Sequence, residues 1–185
     1  MGSVAIVGDG PGGLSAALFI AKNGHSVVVY GDDKTAIHFA LLNNYLGITA
    51  VPGPDFQAGA RSQVQAAGAD LTAARVTSIE VTDEGFALKL EDGSGARFDY
   101  VILSEGRSPV LARALGLAEA PDGSIAVDAD FRSSLPGVYV VGRSIRPKRS
   151  QAIISAGAGA TAAIDILSEL AGEDFQDWDS PPKDG

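Results

Sequence analysis

A hexapeptide near the N-terminus, Gly8-Asp9-Gly10-Pro11-Gly12-Gly13, constrains this chain more than any other feature. It fits the pattern G-x-G-x-x-G and sits between two segments of opposite periodicity. Before it stands a short apolar run, Val4 to Val7, of the kind buried on both faces of a sheet. After it, Leu14 to Lys22 carries Ala, Leu and Ile at helical spacing, and Asn23-Gly24 ends the helix. A second apolar strand follows at Ser26 to Tyr30. Strand, helix and strand within about thirty residues make a crossover unit, whose right-handed connection leaves the two strands parallel. In such a unit Gly8 permits the tight turn, Gly10 lets backbone approach a pyrophosphate, and Gly13 lets helix and strand pack closely. The helix N-terminus then offers free N–H groups and partial positive charge to a phosphate. The bland alternative is a glycine-rich turn with no ligand, which the strand-to-helix setting disfavours.

An acidic residue at the end of the second strand, about 20 residues on, binds ribose hydroxyls in units of this type. Asp32 follows Gly13 by 19 residues and Asp33 stands beside it, although Gly31 occupies the position directly after the strand. Asp32 is the favoured partner by spacing; the alternatives are Asp33, or that both are solvated loop residues. Farther along, Asp55 to Gly68 reads as a helix. Leu71 to Val81, Phe86 to Leu90 and Arg97 to Leu103 read as strands separated by Asp83-Glu84-Gly85 and Asp92-Gly93-Ser94-Gly95 turns. Pro109 to Leu117 suggests a short helix, and Ile125 to Val127 and Val138 to Val141 suggest strands. Ser150 to Ala171 reads as a long helix of small residues. From Gly172 the chain turns acidic, and a frayed tail is expected.

Composition removes several kinds of chemistry. The chain has 185 residues, enough for one domain with its own core. It has no cysteine, hence no disulfide, thiolate metal site or cysteine relay, and only two histidines, His25 and His38. Neither histidine has an acidic or nucleophilic neighbour at telling spacing, so both read as structural, as do Ser15 and Ser155 within helices. A net charge of −9 disfavours nucleic acid as a partner and suits solubility or a salty cytoplasm. No uninterrupted apolar stretch of membrane-spanning length is visible, and the start Met1-Gly2-Ser3 leads into a strand. A cytoplasmic protein without membrane attachment is expected.

The C-terminal third carries a second pattern. Arg132-Ser133-Ser134-Leu135-Pro136-Gly137-Val138-Tyr139-Val140-Val141-Gly142, then Arg143, then Gln151-Ala152-Ile153-Ile154-Ser155-Ala156-Gly157 resembles the second FAD-binding motif of thioredoxin-reductase-like pyridine nucleotide-disulfide oxidoreductases. Asn43-Asn44-Tyr45-Leu46-Gly47 is similar to that family's Asn-Tyr-Pro-Gly stretch. Gly68 to Val76 is similar to the strand holding the adenine, with Val76 at the contact position. Tyr100 to Gly106 stands where the family has a strand ending in Ala-Thr-Gly. The resemblance implies an α/β fold: a Rossmann-like three-layer FAD/NAD(P)-binding domain, with a parallel sheet and a small antiparallel β-meander, over residues 1–171. It implies FAD as cofactor. The implied contacts are Gly8, Gly10, Pro11, Gly12, Gly13, Gly31, Asp32, Asp33, Val76, Ser104, Glu105, Gly106, Gly142, Arg143, Gln151 and Ala152. By the same resemblance, the N-terminus of the last helix faces the pyrimidine edge of the flavin.

Three departures qualify that picture. Between Arg107 and about Glu119, where the family inserts a whole NAD(P)H domain with a Cys-x-x-Cys pair, only a dozen or so residues stand. Ser104-Glu105 replaces Ala-Thr. Arg143 replaces the aspartate that binds the ribityl chain, and belongs to a basic cluster with Arg146, Lys148 and Arg149. That cluster is either a solvated loop or an anion site for cofactor, substrate or partner. The expected function is an FAD-dependent oxidoreductase that takes electrons from an external donor, a reductase or NAD(P)H, and is not a disulfide reductase. Alternatives are a non-catalytic FAD- or NAD-sensing module and, last, a plain NAD-binding oxidoreductase. A homodimer would cover the surface the absent domain leaves. No catalytic side chain stands out.

Overall fold

The N-terminal apolar run forms strand β1, Ser3–Val7, and its alternating side chains set the layers of the whole molecule. The computed structural model describes residues 1–180; Pro181 to Gly185 lie outside the described residues. After β1 come α1 (Pro11–Lys22), β2 (Ser26–Tyr30), the short β3 (Leu41–Leu42) and β4 (Val51–Pro52), and α2 (Gly53–Ala66). Then follow β5 (Asp70–Thr72), β6 (Val76–Thr82), β7 (Gly85–Leu90), β8 (Gly95–Phe98), β9 (Tyr100–Leu103), α3 (Val110–Ala114), β10 (Val138–Val140) and α4 (Ala152–Ala171). Five strands form one parallel sheet in the order β10-β9-β1-β2-β5. Strands β6, β7 and β8 form a separate antiparallel meander. The expected three-layer α/β architecture is the observed one.

Val4 and Ile6 of β1, with Val27 and Val29 of β2 and Ile102 of β9, face α1 and α4 in one core. Ala5, Val101, Leu103, Val138 and Val140 face the meander and α3 in the other. A parallel sheet covered on both faces needs this nearly continuous apolar sequence in its central strands. Helix α1 crosses α4 at very close range because glycines line the contact. A Cβ on Gly159 would overlap the Gly12 carbonyl oxygen and lie 3.1 Å from the Ala16 nitrogen. At the far edge, Arg132 holds Asp165 with two bonds of 2.6 and 2.7 Å, and the Tyr139 hydroxyl donates to the same carboxylate at 2.7 Å. Burial and then the Asp165 carboxylate push the Tyr139 phenol well above its usual range.

Where the structure departs from the sequence reading, pairing partners are the reason. The run Leu71 to Val81 is two strands in two sheets. Strand β5 ends at Thr72, whose carbonyl accepts from Ala74 N–H at 2.9 Å in a tight turn, and β6 starts afresh in the meander. Likewise Arg97 to Leu103 breaks at Asp99, whose N–H donates to the Ser3 carbonyl at 3.0 Å and whose carboxylate accepts from Ser3 N–H at 2.7 Å. Ile125 to Val127 is not a strand; Ile125 makes one isolated bridge with Glu119. Helix α1 starts three residues earlier than its apolar pattern, at Pro11, a residue suited to the first helical position. Helix α4 is by length and composition apolar enough to span a bilayer, although Asp165 and Glu169 interrupt its apolar run. Here its face of Gly159, Ala162, Ala163 and Ile166 is buried in the helix-side core. After α4, Phe175 packs against that core and its N–H donates to Ser168 Oγ at 3.0 Å. Lys22 pairs with Asp177 and Asp179, while Trp178 is exposed.

Two glycines of α4 separate packing from helix propensity. Gly159→Ala should destabilise the protein by about 1–3 kcal/mol, because backbone must move to admit the methyl group. Gly157→Ala, with nothing within 4 Å of the new methyl, should stabilise it by up to about 1 kcal/mol. Urea unfolding of both variants checks the pair.

Candidate functional site

All the strands of the parallel sheet point their carboxyl ends the same way, and a cleft of about 1000 Å³ opens there. The chain leaves β1 toward β2 on one side, while β9 and β10 extend the sheet on the other. The cleft therefore lies at the switch point where open α/β sheets bind ligands. Its floor is Val7 to Gly12 after β1, Tyr30 to Asp32 after β2, Ser104 to Ser108 after β9, and Gly142 and Arg143 after β10. Val76 closes the side toward the meander.

The glycine motif is shaped as its spacing implies. Gly8 has φ +104°, and a Cβ there would overlap the Ser104 carbonyl oxygen, so only glycine lets the loop pass β9. A Cβ on Gly13 would overlap the Gly8 carbonyl oxygen, which forces the helix start against the strand end. Gly13 thus lies beneath the cleft wall, whereas Gly10 faces open space apart from Thr35 Oγ1 at 3.3 Å. No side chain caps the start of α1 or of α4, so the first N–H groups of both helices have no side-chain partner.

The structure explains the glycine after β2. Asp9, the variable residue of the motif, is buried and folds its side chain across Gly31; a Cβ on Gly31 would lie 2.7 Å from Asp9 Cβ. The Asp9 carboxylate pairs with Arg61 of α2 and accepts from Asp33 N–H at 3.0 Å. Its carbonyl accepts from the fully buried Gln57 at 2.7 Å. An acid thus stands against the end of β2, but it comes from the glycine loop. Asp32 lines the cleft with its carboxylate 2.6 Å from Lys34 Nζ, and that ammonium holds the Asp32 carboxyl below its usual range. Asp33 is turned away. It adopts φ 60°, and its carboxylate lies 3.0 Å from His38 Nε2. His38 therefore has an acidic neighbour that sequence spacing did not reveal, whereas His25 accepts from Gly2 N–H at 3.1 Å.

On the opposite wall Glu105 is tied into structure. Its two oxygens accept from the N–H groups of Leu111 at 2.8 Å and Ala112 at 3.0 Å, capping α3. Burial pushes its carboxyl above the ordinary glutamate range, against the opposing pull of those N–H groups. Arg143 lines the cleft, and its buried Nε has no hydrogen-bond partner among the described residues. Ser155, read from sequence as an ordinary helix residue, is buried at the cleft. Gln151 and Ala152 lie outside the lining: Gln151 is exposed and its Oε1 accepts from Asn44 Nδ2 at 3.1 Å, while Ala152 is the first residue of α4. Sequence reasoning passed over Asp9, Gln57, Arg61 and Ser155. Asp9 and Ser155 carried a signal, each by standing inside one of the two motifs.

The sequence model of the family described as pyridine nucleotide-disulphide oxidoreductase matches residues 50–160. Thioredoxin reductase of Peptoclostridium litorale is 29% identical over 151 residues, covering 75% of this chain and 46% of that protein. Thioredoxin reductase of Spironucleus barkhanus is 32% identical over 88 residues, 46% of this chain and 29% of that protein. The chain spans less than half the length of these curated relatives. Among solved structures, a thioredoxin reductase from Gloeobacter violaceus superposes with a TM-score of 0.88 at 16% identity, covering 96% of this chain and 99% of that one. The atypical thioredoxin reductase TRi from Desulfovibrio vulgaris Hildenborough gives 0.84 at 17% identity, covering 94% and 99%. These two structures are similar in fold.

Removing the Asp9 carboxylate strands Arg61 and the Asp33 N–H together. Asp9→Ala should therefore cost roughly 3 kcal/mol of stability, read by urea unfolding. Glu105 works in the other direction. Its folded carboxyl holds a proton to higher pH than the unfolded one, so its contribution to stability falls as pH rises from about 4.5 through the raised folded value. Glu105→Gln should flatten that part of a stability–pH profile.

Proposed function

The chain belongs to the pyridine nucleotide-disulphide oxidoreductase family, and on that premise we propose that it is an FAD-dependent oxidoreductase drawing electrons from an external donor and not itself reducing disulfides. One observation carries the reading: the two half-motifs converge on one cleft, large enough for a dinucleotide and floored by the uncapped start of α1. The residues present fit the cofactor. Gly8, Gly10 and Gly12 present no side chain at their positions in the loop, and Arg143 supplies a buried donor nitrogen with no partner among the described residues. When bound, FAD supplies the redox chemistry of its flavin ring.

The chain's own part is to bind and orient. Gly10 and Gly12 with the α1 N-terminus would hold the diphosphate, Val76 would face the adenine, and Asp32 would serve a ribose hydroxyl. Gly31 and Gly106 would give the ligand close backbone approach, and Gly142 with Arg143 would lie where its diphosphate joins its flavin half. Gln151 and Ala152, at the start of α4, would contribute through backbone rather than side chain, since the Gln151 amide is engaged by Asn44.

Electrons must enter from outside, from NAD(P)H or a separate reductase, because residues 104–137 hold only the short α3 where relatives of this type are expected to insert a nicotinamide domain. With no cysteine in these 185 residues, no thiol relay can pass electrons to a disulfide. A second reading, a non-catalytic dinucleotide-sensing module, is favoured by Glu105, whose carboxylate caps α3 and so leaves little acid–base capacity in the cleft. Photoreduction or dithionite followed by reoxidation separates the two: slow, acceptor-independent turnover of bound flavin would favour the sensor.

The first experiment is reconstitution with FAD, followed by visible absorption. Bound flavin is expected in the wild type. Gly10→Ala, whose methyl meets only Thr35 Oγ1, should keep the wild-type melting temperature yet bind FAD about tenfold more weakly or worse. A wild-type protein that cannot be loaded with flavin would sink the reading.

A further inference from the structure

The basic residues after β10, a single cluster in sequence, are divided by the fold. Arg146, Lys148 and Arg149 are exposed, whereas Arg143 is partly buried and lines the cleft. Its Nε is shut off from solvent without a hydrogen-bond partner, and its guanidinium makes no ion pair with any described carboxylate. That isolation is unexpected in a chain of net charge −9. Three of the four acids lining the cleft are engaged elsewhere. Asp9 pairs with Arg61, Asp32 with Lys34, and Glu105 with the backbone of α3. The fourth, Glu91, is exposed and forms no ion pair with Arg143.

Two hydroxyls line the same cleft, near the backbone that precedes Arg143. A Cβ on Gly142, the residue before Arg143, would lie 3.6 Å from Ser104 Oγ and 3.9 Å from Ser155 Oγ. A Cβ on Gly12, in the first turn of α1, would lie 3.5 Å from the same Ser104 Oγ. Ser155 is only 8% exposed, and neither hydroxyl bonds another described residue. A buried guanidinium nitrogen and two hydroxyls lining one cleft, beside an uncapped helix start, form a set of groups able to donate with no acceptor among the described residues. Such a set is completed by an anion.

We propose that Arg143, with Ser104 and Ser155, forms an anion subsite that recognises the diphosphate of the bound dinucleotide, making Arg143 a specificity-determining residue of the cleft. The inference rests on reading the cleft as a dinucleotide site. Within that reading the ligand class follows from charge, since the diphosphate is the anionic part of such a molecule. An aspartate at this position would accept from neutral hydroxyls and repel phosphate; an arginine reverses that preference. The exposed remainder of the cluster, Arg146, Lys148 and Arg149, takes no part.

Calorimetric titration of the wild type, Arg143→Gln and Arg143→Asp with FAD, ADP and adenosine tests this, with thermal melts of each protein free of ligand. Arg143→Gln is expected to weaken both FAD and ADP by about ten- to a hundredfold, with Arg143→Asp weaker still. Adenosine, which has no phosphate, should bind all three alike. The ligand-free Arg143→Gln protein should melt at or above the wild-type temperature, because a partly buried cation with no partner among the described residues is removed. FAD held equally by the wild type and Arg143→Gln would overturn the subsite and leave the flavin reading intact. Tighter FAD binding by Arg143→Asp would also overturn it, in favour of ribityl hydroxyls. ADP bound by the wild type through Arg143 while FAD is refused would overturn the flavin reading and keep the subsite. Binding of neither would overturn both.

Discussion

The close approach of backbones around the glycine loop is the constraint on which the rest depends. Gly8 passes the β9 end, Gly13 sits on Gly8, and Gly12 meets Gly159 of α4, each at a range that a side chain would prevent. These contacts join the first strand, the first helix, the ninth strand and the last helix at one point. Because that point is also the carboxyl end of the sheet, the packing that closes the helix-side core is the packing that shapes the cleft. Function and stability here share atoms. Small residues in α1 and α4 serve both, at the cost of the larger hydrophobic contacts that bigger side chains would make.

A second, polar brace acts on the same loop. The Asp9 carboxylate links the motif to Arg61 of α2 and to the backbone of Asp33, while Gln57 holds the Asp9 carbonyl. Thus the loop after β1, the loop after β2 and helix α2 are fixed relative to one another by groups with little access to water, where such bonds hold best. The brace also dictates residue 31, since any side chain there would collide with Asp9. On the other side of the cleft, Glu105 performs a similar service for α3. Acidic residues that might have been read as catalytic are therefore structural, and the cleft is left with donors rather than acceptors near Gly142.

Local signals were legible where a single segment carries them. The glycine motif, the strand β2 from Ser26 to Tyr30 and the helix-ending glycine at position 172, with φ 74°, each announce themselves in a few residues. Strand type could be read along 71–81 and 97–103 as well, but not the change of partner within each run. β-Propensity records a fit to a pleated surface and is silent on which sheet supplies it. The short β3 and β4, two residues each, fall below any useful periodicity.

The amino-acid sequence by itself determined the strand-loop-helix unit, the absence of cysteine chemistry and the layered α/β fold, because these depend on residue type and near-neighbour spacing. Tertiary structure alone decided which charges are free. Asp9 meets Arg61 across 52 residues of chain, Glu105 turns back to cap α3, and Arg143 parts from its basic neighbours to line the cleft with no partner for its Nε among the described residues. Whether a charged side chain is neutralised, solvated or left open to a ligand depends on distance and burial in three dimensions, and neither is written in the order of residues.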